Sequence, residues 1–224
     1  MTITAQDRAR RIRIILFDVD GVLTDGGLWL FPAAGGGTPS TQQQIAACEG
    51  RGGYAIAPGT MVESKGYSAH DGAGVWLARL GGLKCGIITR RISESVALRA
   101  RDLHLEFVYM GQALKMRAVD EIIAQEGVTL EEIAYVGDDV IDLPVMRRCG
   151  LAVAVANARP QVKAAAHYIT LNRGGQGAAR DAIEFILAAK GLLEDCIETY
   201  IRDSEAGLPA TDQEKGNDSH GGAR

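Results

Sequence analysis

Apolar and polar positions along the chain follow two periods that take turns. Short apolar runs rich in β-branched residues stand at 14–17, 83–89, 106–110, 133–137, 151–155 and 167–171. Runs of this length without polar alternation read as strands buried on both faces, as in a parallel sheet. Between them, helical spacing covers 71–80 (Val75, Leu77 and Leu80 on one face), 93–101, 115–126, 141–148 and 178–190. Pro160 opens a further short helix, and 192–201 extends as another. The punctuation agrees with this division. Asp71 is an N-cap candidate, Gly81-Gly82 and Gly127 end helices, and Thr129-Leu130-Glu131-Glu132 has capping-box spacing. Strands alternating with helices imply right-handed crossovers and a doubly wound, mostly parallel, Rossmann-like α/β fold.

Three stretches stand outside that alternation. Residues 28–31 and 61–67 are strand candidates separated by a long segment, 32–60, rich in Gly, Ala, Thr and Gln. The whole reads as a β-hairpin flap with an extended, disordered tip, because loops of such length inside a domain are functional or mobile. Residues 1–11 form a polar, basic lead-in expected to be a short arm, and the Gly-rich tail after Asp203 is expected to be disordered. The organisation is therefore one domain over 1–202, with the flap and its inserted loop at 26–68, and a tail over 203–224. There are no internal repeats.

Composition narrows the function without naming it. At 224 residues, the chain suits one α/β domain with a sizeable core. A net charge of -4 gives no attraction to nucleic acid or an anionic membrane. No apolar run approaches the roughly 20 residues of a membrane helix, and no signal-peptide pattern opens the chain, so a cytoplasmic protein is expected. Cys48, Cys85, Cys149 and Cys196 are widely spaced and read as reduced thiols, not a zinc site or a disulfide frame. Trp29, Trp76, His104 and His167 read as packing or surface residues, and Trp29 on the flap is also suited to burial against a neighbouring subunit.

Candidate chemistry gathers at strand ends. Asp18 and Asp20 follow the first strand at i, i+2 spacing, so alternation points both to one side. Two such carboxylates repel unless a cation or a shared proton intervenes, and a divalent metal such as Mg²⁺ resolves this. Thr89-Arg90-Arg91-Ile92-Ser93 offers a hydroxyl and a helix start suited to phosphate. Lys115 opens a helix against its dipole and so favours a local anion. Asp138, Asp139 and Asp142 follow a buried strand and a glycine, a pattern suited to metal. Singly, each has an ordinary reading: a charged turn, a cap, a surface lysine, an acidic helix start.

Together, Asp18-Val19-Asp20-Gly21-Val22, Thr89, Lys115 and Gly137-Asp138-Asp139-Val140-Ile141-Asp142 resemble the four motifs of the haloacid dehalogenase superfamily. Within it, DVDGVLTDG, KGYSAHDGAGV, GQALK, AYVGDDVIDLPVM, LAVAVANA and GGQGAAR resemble the capless 3-deoxy-D-manno-octulosonate 8-phosphate (KDO 8-phosphate) phosphatases over 12–190, apart from the insertion. The resemblance implies a phosphatase of KDO and lipopolysaccharide biosynthesis, a homotetramer in which a neighbouring subunit helps close each site. It implies Asp18 as nucleophile and Asp20 as general acid and base, with Thr89 and Lys115 on the phosphoryl oxygens. It further implies Mg²⁺ held by Asp18, the Asp20 main-chain carbonyl and Asp138, with Asp139 and Asp142 behind them, orienting metal waters and Lys115. Arg90, Arg91, Lys65 and His70 fall on the substrate side. This sequence departs from the family pattern at Arg90 (for glycine), His70 (for arginine), Gln176 (for arginine) and the 32–60 insertion. These departures keep another nonulosonate or sugar phosphate open as substrate. A phospho-accepting receiver lacks the need for Asp20, and a non-catalytic oligomerisation module would lack a motif acid; every one is present here.

Overall fold

In the computed structural model, residues 3–32, 34, 45–47, 54–56 and 61–206 are described. A fully buried strand, β1 (Ile14–Phe17), lies inside a six-stranded sheet whose neighbours all run parallel. On one side of β1 come β6 (Lys84–Ile88) and β8 (Phe107–Tyr109). On the other come β9 (Ile133–Gly137), β10 (Leu151–Ala154) and β11 (Tyr168–Ile169). The chain thus builds outward from β1 in one direction and then crosses to the other. That reversal leaves a crevice at the carboxyl end of β1. Phe17 pairs with Ile87 and with Val136, so the residues after all three strands emerge at one edge.

The apolar runs are strands for the reason the pattern suggests: β1, β9 and β10 are buried at every position. Two groups of helices supply the cover. One consists of α1 (Ala5–Ala9), α2 (Ala69–Leu80), α7 (Ala178–Lys190) and α8 (Leu193–Glu205), packed on one another. The other contains α4 (Lys115–Glu126), α5 (Leu143–Met146) and α6 (Pro160–Ala165). The remaining helix, α3 (Glu94–Asp102), follows the two-residue strand β7 (Arg91–Ile92). No helix among the described residues is long and apolar enough to cross a membrane.

Several boundaries differ from the sequence expectation. The lead-in is not a free arm: Thr4 and Asp7 form a capping box for α1, Ala9 and Ile12 are buried, and Arg8 donates to the Gly150 carbonyl at 2.9 Å. The helix expected over 141–148 is a 3-10 turn, Val140–Asp142, followed by α5, with Pro144 within its first turn. The cap of α2 is Ser68. Asp71 serves another helix instead, accepting at 3.0 Å from the Arg180 N–H in the first turn of α7. The last helix runs past Asp203 to Glu205, and the disorder expected of the tail falls on 207–224, outside the described residues.

The flap is a hairpin. Its strands β2 (Trp29–Pro32) and β5 (Met61–Ser64) pair antiparallel, Trp29 with Ser64 and Pro32 with Met61. Between them the chain forms a second hairpin that the residue pattern had not suggested, β3 (Ile45–Ala47) with β4 (Tyr54–Ile56). Strand β4 pairs in parallel with β7, Tyr54 with Arg91 and Ala55 with Ile92. The insertion is thereby tied to the segment leaving Thr89. Most of 32–60, including the expected disordered tip, lies outside the described residues.

Candidate active site

Asp18 leaves β1 nearly buried, its N–H donating to the Val136 carbonyl at 3.0 Å. Lys115, the first residue of α4, reaches it from across the crevice: Nζ lies 2.8 Å from Asp18 Oδ1, 2.7 Å from Asp142 Oδ1 and 3.0 Å from the Tyr135 hydroxyl. Tyr135, on β9, donates in turn to Asp142 Oδ1 at 2.9 Å. The other oxygen of Asp142 accepts from the main-chain N–H groups of Asp138 and Asp139 at 3.0 and 3.3 Å. A fully buried carboxylate therefore clamps both the lysine and the turn that presents Asp138.

Asp18, Asp138 and Asp142 each bring a carboxylate oxygen to within 4.8 Å of the others. One ammonium cannot neutralise two buried carboxylates and the half-buried Asp138 beside them. Burial, opposed by Lys115 and aided by Asp142, pushes Asp18 up to about 6. Burial and the neighbouring Asp18 and Asp142 push Asp138 up to about 7. Burial alone would lower Lys115, but Asp18 and Asp142 outweigh it and hold the lysine above its ordinary value. Asp138 Oδ1 is buried and accepts no hydrogen bond among the described residues. All the oxygens are hard donors with excess negative charge, so the residues fit a small divalent cation such as Mg²⁺. Gly21 makes the close approach possible: its φ is +93°, and a Cβ there would overlap Asp138 Oδ2.

A second cluster lies beside the first. Asp20 Oδ1 accepts from Lys65 Nζ, whose side chain has no exposure, and Asp20 Oδ2 lies 3.6 Å from Arg91 Nε. Both cations also face Glu63, at 3.6 Å from Lys65 and 3.5 Å from Arg91, and Ser93 Oγ donates to Glu63 at 2.5 Å. Thr89, buried at the end of β6, accepts from the Arg91 N–H at 3.3 Å. The structure thus gathers Asp18, Lys115, Asp138 and Asp142 in one group, and Asp20, Lys65 and Arg91 in the next. Others of the expected site residues are exposed. Asp139 is exposed and caps its own turn by accepting from the Val140 N–H at 2.6 Å. His70 and Arg90 are exposed. Glu63 and Tyr135 were missed by the sequence reading. Glu63 on β5 and Lys65 just past its end stand at i, i+2, so alternation points them to one side, which was the available signal.

The glycine loop after β11 braces the turn that follows β1. Gly175 donates to the Val22 carbonyl at 3.0 Å, and Gly174 to Asn157 Oδ1 at 2.7 Å. A Cβ on Gly174 would overlap the Gly21 carbonyl, so only glycine permits the contact.

Comparison with known proteins finds relatives of the same fold. A profile of haloacid dehalogenase-like hydrolases matches residues 88–180. The KDO 8-phosphate phosphatase of Escherichia coli K12 is 34% identical over 188 residues, 84% of this chain and 86% of that protein. The crystal structure of the KDO 8-phosphate phosphatase from Yersinia pestis superposes with a TM-score of 0.70 at 34% identity, covering 85% of this chain and 88% of that one. The Moraxella catarrhalis phosphatase, solved in complex with magnesium ion, phosphate ion and KDO, gives a TM-score of 0.70 at 31% identity, covering 88% and 97%. The chain belongs to the haloacid dehalogenase-like hydrolases and, among them, to the family of 3-deoxy-D-manno-octulosonate 8-phosphate phosphatases.

Proposed function

We propose that the chain is a Mg²⁺-dependent phosphomonoesterase that hydrolyses KDO 8-phosphate through an aspartyl-phosphate on Asp18. The observation that carries this reading is the buried Asp18–Lys115–Asp142 arrangement with Asp138 beside it and Asp20 two residues on. An Asp18 oxygen attacks phosphorus while the ester bond to the sugar oxygen breaks, and Asp20 gives that oxygen its proton. Asp20 then accepts a proton from the water that attacks the same phosphorus, releasing phosphate and restoring Asp18. Lys115 and the Thr89 hydroxyl hold phosphoryl oxygens, while Asp142 fixes Lys115 and the turn that carries Asp138. Asp18, the Asp20 main-chain carbonyl and Asp138 would hold Mg²⁺, with Asp139 at the rim of that turn. The cation would screen nucleophile from phosphate and offset the charge that builds in the transition state.

Lys65 and Arg91 supply the cationic side of the pocket for a sugar acid. Arg90, His70 and Gln176 occupy positions where the family has other residues, so they are the places where a preference for a different nonulosonate phosphate would be written. The flap presents Trp29, Leu30, Phe31 and Val62 outward, each at least 48% exposed, which supports a homotetramer whose neighbouring subunit covers the site. A cytoplasmic enzyme without nucleic-acid or membrane partners is part of the same reading. The test is phosphate release from KDO 8-phosphate with Mg²⁺, with chelator, and in Asp18→Asn. Turnover lost under both treatments supports the proposal; turnover that persists in Asp18→Asn refutes it.

A further inference from the structure

We propose that Glu63 is a positioning residue: a resident counter-anion that keeps Lys65 and Arg91 in place when Asp20 leaves them for the substrate. The inference rests on the proposed acid-base role of Asp20. Asp20, Glu63, Lys65 and Arg91 form a charge-balanced quartet in which each cation faces both acids. The two acids are built differently. The Asp20 side chain is 28% exposed and open to the crevice, whereas that of Glu63 is 9% exposed and anchored by the Ser93 hydroxyl at 2.5 Å. Removing one partner from a buried ion pair leaves an uncompensated charge, which is strongly unfavourable. An aspartate that must turn to a substrate oxygen would therefore strand Lys65, whose side chain has no exposure, unless a second anion stayed behind.

Glu63 is that second anion. It is held on β5 of the flap, and Ser93 fixes its free rotation. Its Oε2 is buried 3.5 Å from Arg91 Nη1, so the same carboxylate that faces Lys65 also faces the guanidinium. The main chain of Arg91 is tied down separately, by the pairing of β4 with β7. With both cations fixed, Asp20 can exchange places with an anionic group of the substrate, such as its carboxylate, without moving the cations themselves.

The test compares Glu63→Gln and Glu63→Asp with the parent enzyme on two substrates. KDO 8-phosphate has a poor leaving group that needs a proton and carries a carboxylate; p-nitrophenyl phosphate has neither feature. For Glu63→Gln, kcat/KM on KDO 8-phosphate should fall by about tenfold or more, a part of what a general acid contributes, while p-nitrophenyl phosphate changes by less than about threefold. Glu63→Asp, which keeps the charge, should recover part of the loss, and it carries the comparison alone if Glu63→Gln fails to fold. Equal losses on both substrates would mean a merely structural role and overturn the proposal, as would no loss on either. Asp20→Asn separates the underlying reading: full KDO 8-phosphate turnover there refutes the Asp20 role itself, whereas a dead Asp20→Asn beside a normal Glu63→Gln refutes only Glu63.

Discussion

Lys115 is buried where a lysine is unwelcome, and two carboxylates and a tyrosine hydroxyl hold it there. Lys115→Met removes the one cation while Asp18 and Asp142 remain buried. Loss of one partner from such a pair costs about 3–5 kcal/mol, so chemical denaturation should show a clear fall in stability alongside loss of turnover. Asp138 gives a pH prediction of definite sign. Its folded value of about 7 lies above the ordinary 3.8, so between them the folded chain binds more protons than the unfolded one. Stability of the metal-free protein therefore declines as pH rises through that window and levels off above it. Mg²⁺ binds the charged carboxylates, so its thermal stabilisation should be larger at about pH 8 than at about pH 5. Equal shifts at both would contradict the arrangement.

Among elements, the helix α7 and the loop before it connect the scaffold to the chemistry. Asp71→Ala removes an acceptor from the first turn of α7 and should lower stability by about 1 kcal/mol, read as a fall in Tm. Gly174→Ala places a methyl against the Gly21 carbonyl, so the turn that follows β1 must shift; a loss of about 1–3 kcal/mol and a larger loss of activity are expected from denaturation and phosphate-release assays. The core strands were legible in the sequence because a parallel sheet buried on both faces leaves an unbroken apolar run. Lys115–Glu126 and Ala178–Lys190 were legible to the residue, since Gly127 closes one and helical periodicity marks the other. The lead-in was not, because α1 is polar along most of its short length and is held by a capping box and by Arg8. The hairpin of β3 and β4 was not, because its partner is β7, remote in sequence. Glu63 was overlooked for the same reason: its meaning depends on Arg91 and Ser93, which only the fold brings near.

For the whole molecule, the outward apolar face of the flap predicts association. Trp29→Asp together with Phe31→Asp should shift the sedimenting species toward smaller assemblies, and, if a neighbour covers the site, reduce turnover with it. The order of the sheet has a further consequence, in time. β1 finds its two partners only at β6 and β9, and the turn after it is not braced until Gly175 reaches Val22. Contacts this distant close late, after the local helices have formed. During synthesis, Asp18 and Asp20 leave the ribosome well ahead of Lys115, Asp138 and Gly175, and must wait for them before they become a site. In refolding, helical signal should return well ahead of Mg²⁺ binding, and catalytic competence should be the last property the chain acquires.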